Sequence, residues 1–213
     1  MAHAVPRMLD NRLQAVFSEK RFEPPLFYTW PVGLRFELGG EWGKAPHSFC
    51  TQRFYQAMHR AKMLLEYVFQ DSKILIVKLV FHTEQKTKTP TRELERCGFT
   101  LPADHEKNHK LGENGHIYNI SFSDGITSTN AHAILWAIMS NEIGIKPTAA
   151  LTAYYIDLDK GIVAHPYDDR GMDLVANSKL ALADCYAKFN GWILDYDRAR
   201  IDEVFKSVAR STS

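Results

Sequence analysis

The spacing of apolar residues divides this chain into helical and extended stretches. Leu9, Leu13, Val16 and Phe17 recur at helical spacing and predict a helix to about Arg21, which Pro24-Pro25 ends. Leu26 to Trp30 is a short aromatic run. Leu34 to Leu38 alternates apolar and charged before Gly39-Gly40, the pattern of a half-buried strand. Arg35 and Glu37 share its polar face, and the simplest reading is an ion pair between them toward solvent. Phe54, Met58, Ala61, Leu65 and Phe69 form one stripe and predict a helix over 48–69. Lys73 to Phe81, rich in Ile, Leu and Val, predicts a strand interrupted by Lys78.

Residues 82–115 lose periodicity. They hold six Lys/Arg and six Asp/Glu together with Pro90, Gly98, Pro102, Gly112 and Gly115. An irregular charged excursion with one short helix near Thr91 to Cys97 is expected there. Order returns with the alternation of His116 to Phe122. Thr127 to Glu142 carries an apolar stripe with hydroxyl and Asn capping residues at its start, and Gly144 and Pro147 stop it. Leu151 to Leu158 and Ile162 to Tyr167 flank Asp159-Lys160-Gly161, a hairpin signal, and Met172 to Ala176 continues the meander. Helices over 178–189 and about 197–208 close the chain. The sum is an α+β fold: a single domain over 1–213, mainly an antiparallel sheet with helices packed against it, ending in two helices.

Composition narrows the function classes. The 213 residues are 45% hydrophobic and 24% charged, enough for a sizeable core. A net charge of +1, from 26 basic and 25 acidic residues, favours neither nucleic acid nor a membrane surface as partner. Cys50, Cys97 and Cys185 lie far apart and form no C-x-x-C pair, which fits free thiols in a reducing cytoplasm. The first twenty residues contain no apolar core of a signal peptide, and no stretch reaches the length of a membrane span.

His105-Glu106-Lys107-Asn108-His109 is a literal H-E-x-x-H. On a helix its two histidines could bind zinc while Glu106 activates a water, and His116 could serve as a third ligand. The intervening positions are charged, the segment is short, and the third histidine falls one residue late for the extended pattern. A zinc-dependent hydrolase is therefore the alternative reading, and a solvated polar loop without cofactor the leading one.

The last third carries Tyr167-Asp168-Asp169-Arg170-Gly171-Met172-Asp173 and Trp192-Ile193-Leu194-Asp195-Tyr196-Asp197-Arg198. Asp168, Asp169 and Asp173 could gather a hard cation, with Asp195 or Asp197 completing the shell. The plainer reading is a strand connection in which Asp caps the turn, Gly171 takes a positive φ and Arg170 neutralises the acids. Asp197 stands where the last helix wants an N-cap. Arg35 and Arg170 together could instead hold a nucleotide or phosphate.

These stretches, with Leu34-Arg35-Phe36-Glu37-Leu38-Gly39, resemble an uncharacterised bacterial domain family of unknown function, number three-eight-eight-five. The resemblance spans most of the chain in the right order and excludes residues 82–115. It implies no activity. The expectation is a non-enzymatic cytoplasmic protein that binds another protein, in the manner of an immunity protein or antitoxin. Asp168, Asp169, Arg170 and Asp173 would form an exposed charged rim, flanked by Arg35 and Glu37, with Trp42 as an apolar anchor.

Overall fold

A computed structural model describes residues 6–17, 22–40 and 49–209. Its strands are β1 (Val32–Glu37), β2 (Ile76–Thr83), β3 (His105–Gly112), β4 (Gly115–Ser123), β5 (Thr152–Asp157), β6 (Ile162–Asp168) and β7 (Gly171–Ala176). They form one sheet in the order β1-β7-β6-β5-β2-β4-β3, with every neighbouring pair antiparallel. The helices are α1 (Pro6–Phe17), α2 (Leu26–Thr29), α3 (Phe49–Phe69), α4 (Arg92–Arg96), α5 (Thr129–Ile143), α6 (Leu180–Lys188) and α7 (Arg198–Ala209). The result is the expected α+β domain.

Alternation along the strands sends side chains to two faces, and each face has its own core. On one, Leu34, Phe36, Leu79, Ile120, Ala153 and Leu174 meet Leu64 and Leu65 of α3, Ile134 and Ile138 of α5, Leu182 of α6 and Phe205 of α7. On the other, Ile76, Ile156, Val163 and Val175 meet Leu13 and Phe17 of α1, then Leu26 and Trp30. Local signals behave as their chemistry dictates. The Ser128 side chain accepts from the Ala131 N–H at 3.0 Å to start α5, and Gly144, at φ 77°, ends it in the left-handed conformation.

Residues 105–112 depart from expectation. They are strand β3, not irregular chain, paired with β4 from His105↔Phe122 to Gly112↔Gly115. The strand lies at the sheet's edge, where both faces reach solvent and only Glu106 is buried. Its side chains therefore lack an apolar alternation, and its order comes from backbone pairing with a strand that has one. At the opposite edge, Ile193 bridges Phe36, and the Leu194 N–H donates to the Arg35 carbonyl at 2.8 Å.

Candidate functional site

A row of polar side chains crosses the sheet on the face beneath α1. Arg35 of β1 pairs in register with Asp173 of β7, and Asp173 with His165 of β6. The His165 ring lies 4.8 Å from that of Tyr154 in β5. Tyr154 is in register with Lys78 of β2, Lys78 with Ser121 of β4, and Ser121 with Glu106 of β3. Each of the seven strands thus places one polar residue at the same level. Such a row inside an apolar layer is stable only if its members satisfy one another.

Its left half is the best defined. Arg35 Nε donates to Asp173 Oδ1 at 2.9 Å and Nη1 to Asp197 Oδ2 at 3.4 Å. The second Asp173 oxygen accepts the Phe27 N–H at 3.1 Å. The Arg35 guanidinium also sits 4.9 Å from the Tyr28 ring and 5.4 Å from the Tyr167 ring, in cation–π range. Burial opposes the charge on Arg35, but Asp173 together with Tyr167 and Tyr28 more than offsets this and raises its pKa. Burial lifts the Asp173 carboxyl above its ordinary value, against the pull of Arg35 and the Phe27 N–H. The direct contact and the two satisfied carboxylate oxygens favour the ionised pair. Tyr28 donates its hydroxyl to Asp197 at 3.0 Å.

The acidic turn is not the exposed rim that its composition suggests. Asp168, Asp169 and Asp173 are all buried, and each faces a different arginine. Asp168 accepts from the backbone N–H of Arg170 at 2.7 Å and from its Nε at 2.8 Å. Asp169 pairs with Arg53 of α3, itself buried. Asp173 belongs to Arg35. Partners brought from 116 and 138 residues away draw the carboxylates inward, so they do not converge on a common point. Arg170 alone of the group reaches solvent, with 65% of its side chain exposed. The hydrogen bond and charge of Asp168 raise its pKa.

Gly171 is not among the positive-φ glycines. Its requirement is steric: a Cβ there would stand 2.1 Å from the Tyr167 hydroxyl and 2.6 Å from the Phe36 carbonyl oxygen. Glu37 meets Arg60, at 3.8 Å, rather than Arg35. Asp197 lies just before α7, but its carboxylate accepts from Tyr28 and Arg35 and does not cap the helix. Trp42 lies outside the described residues.

H-E-x-x-H lies on β3. Along a strand, positions i and i+4 are roughly 13 Å apart, against one turn on a helix, so His105 and His109 are not juxtaposed as a helical zinc motif needs. The His105 Nδ1 contacts the Pro102 carbonyl at 2.7 Å. His109 Nε2 and His116 Nδ1 do meet, at 2.9 Å across the β3–β4 hairpin, and the His109 ring stacks on Tyr118. Glu106 is buried at the right end of the polar row. Among the described residues, no three of His, Cys, Asp and Glu are gathered to hold a metal ion.

Beside the left half of the row opens a cleft of about 550 Å³, lined by Pro24, Pro25, Arg35, His165, Tyr167, Asp168, Arg170 and Leu194. A second cleft of similar size, lined by Lys78, His82, Lys110 and Tyr154, shares Pro24 with it. His165 is the residue that sequence reading missed. It is 2% exposed and contacts the Ala153 carbonyl through Nδ1 at 2.9 Å. Its only sequence signal is a lone polar ring among the apolar residues of β6, as Lys78 is in β2. Burial lowers its pKa, although the Ala153 carbonyl, Asp173 and Asp168 work the other way.

The structure thus defines an α+β protein with a polar row across its sheet, an ion-paired arginine at one end of that row and a cleft beside it. The chain belongs to a family whose sequence model matches residues 9–197 and is described as a domain of unknown function, DUF3885. Comparison with curated proteins and with solved structures returned no match. No helix among the described residues is long and apolar enough to cross a membrane.

Proposed function

We propose that this chain is a non-enzymatic binding module whose partner is another protein, and that the contact surface is the mouth of the Arg35–Tyr167–Arg170 cleft. One observation carries the reading: exposed tyrosine and arginine side chains stand in solvent on a buried ion-pair network. Tyr196 is 86% exposed and Tyr28 43%. Arg200 lies 5.6 Å from the Tyr28 ring, and Arg170 projects from the β6–β7 turn. Tyrosine and arginine supply much of the energy of protein interfaces, because they bury area and donate hydrogen bonds at modest entropic cost. A rigid base keeps that cost low. Asp168, Asp173, Arg35 and Asp197 serve this surface from below, by holding its arginines and aromatics in place, while Asp169 holds the buried Arg53. Neutralisation of a toxin, as immunity proteins perform, is one biological form of such binding.

The test is a photo-crosslinking residue at position 196 of the full chain, in the cell of origin, with the same residue at the distant exposed Leu111 as control. One discrete protein adduct from position 196, lost on Arg170→Glu, is expected. No adduct at 196, or the same adducts from 111, overturns the reading.

A further inference from the structure

We propose that the cleft beside His165 is a binding site for a carboxylate that carries an N–H or O–H donor on the adjacent carbon, the chemistry of a peptide carboxy terminus or of an α-hydroxy acid. The proposal rests on the same cleft as the partner-binding reading, but its test needs no partner.

His165 sets the first requirement. A carbonyl oxygen can only accept, so the 2.9 Å contact with Ala153 fixes the proton on Nδ1 and leaves a lone pair on Nε2. That Nε2 is buried and has no hydrogen-bond partner among the described residues, and His165 is one of the residues that line the cleft. Buried acceptors are rarely left unmet, because an unsatisfied one is costly. A ligand donor in the cleft meets it.

The two arginines set the second requirement. Arg170 spends its Nε and Nη2 on Asp168, and Arg35 spends its Nε and Nη1 on Asp173 and Asp197. Arg170 Nη1 and Arg35 Nη2 enter no hydrogen bond among the described residues. Both arginines are among the residues lining the cleft, and guanidinium edges match carboxylate oxygens. Asp168 lines it too, and Asp173 stands opposite His165 in the strand register. With those two carboxylates close by, a singly charged ligand is favoured over a phosphate dianion. A phosphomonoester dianion also offers no donor to His165. Pro24, Pro25, Tyr167 and Leu194 supply apolar walls for the rest of the molecule, and about 550 Å³ is in the range of small-ligand sites.

The probes are N-acetylglycine and lactate, which carry both features. Acetate lacks the donor, N-acetylglycinamide lacks the charge, and inorganic phosphate controls for an unspecific anion. Each is titrated into the intact protein while the His165 ring resonances are followed by NMR. Saturable shifts with Kd of about 1–10 mM are expected for such small ligands, and at least about tenfold weaker binding for the three controls. Arg170→Gln, at an exposed position, is expected to weaken binding at least about fivefold with the spectrum otherwise intact; His165→Phe, checked for folding first, is expected to abolish it. Response to N-acetylglycine alone assigns the site to peptide termini, and response to lactate alone to small hydroxy acids; either supports the proposal. No saturable shift with either up to roughly 50 mM, or equal binding of acetate or phosphate, overturns it and leaves the crosslinking result untouched.

Discussion

His165 is held neutral by its surroundings, and this gives the protein a pH dependence of known sign. Burial lowers its folded pKa below the ordinary value of about 6.5. The unfolded chain therefore binds a proton that the folded chain refuses as pH falls through that region. The His165 contribution is fully present above roughly pH 6.5 and is lost below it, with a slope of up to about 1.4 kcal/mol per pH unit, until the folded pKa is reached. The groups facing the ring, Asp173, Asp168 and Arg35, modulate that end point. Urea unfolding of the native chain and of His165→Gln at pH 7.5 and 5.5 should show a smaller loss in the variant. Equal losses would show that other groups govern acid sensitivity.

At the level of elements, the C-terminal motif is a clamp. Arg198 donates from Nη2 to the Asn190 carbonyl at 2.8 Å and from Nη1 to the Asn190 side chain at 3.1 Å, with a further contact to the Ile193 carbonyl. These bonds fix the path of residues 190–194, which lie against β1, while the Trp192 ring meets the Arg60 guanidinium at 5.3 Å. Arg198→Ala should cost about 1–3 kcal/mol, since it removes both hydrogen bonds to Asn190 and the contact to the Ile193 carbonyl. It should also speed hydrogen exchange at the Leu194 amide before that of the central strands. Unchanged protection at Leu194 would remove the clamp from the account. Most elements were legible in the sequence because each carries its own period: the stripe of α3, the hairpin at Gly161, the cap and stop of α5. Strand β3 was not, because at an edge its partner, and not its own pattern, makes it a strand. The site was legible only in part. Arg35, Arg170 and the aspartates stood out by type, but their partners come from other elements through strand register. Burial, and with it the role of His165, follows from that register.

Across the whole molecule, the polar row puts one polar residue of each strand at one level, and at its β1–β7 step the Arg35–Asp173 pair favours that registration. Removing one partner should be worse than removing both. Asp173→Ala leaves Arg35, with 13% of its side chain exposed, facing Asp197 alone, and should cost about 3–5 kcal/mol in urea unfolding. The double change Arg35→Met with Asp173→Leu should recover part of that loss, since an apolar pair suits the layer while Asp197 keeps only the Tyr28 hydroxyl. A double variant no more stable than the single one would mean that the row contributes more than charge compensation.

The two ends of the sheet are finished differently. The β3 end presents Lys107, His109 and Lys110 to solvent, the charged finish that discourages another strand from adding there. The β1 end has no such guard and is covered instead by the backbone around Ile193 and Leu194. Protection against self-association is thus delegated, on that side, to a stretch almost 160 residues away in the chain. Loosening that stretch, as Arg198→Ala would, keeps every strand and yet offers the hydrogen-bonding groups of β1 as a template for copies of the chain, an insoluble outcome that light scattering would register.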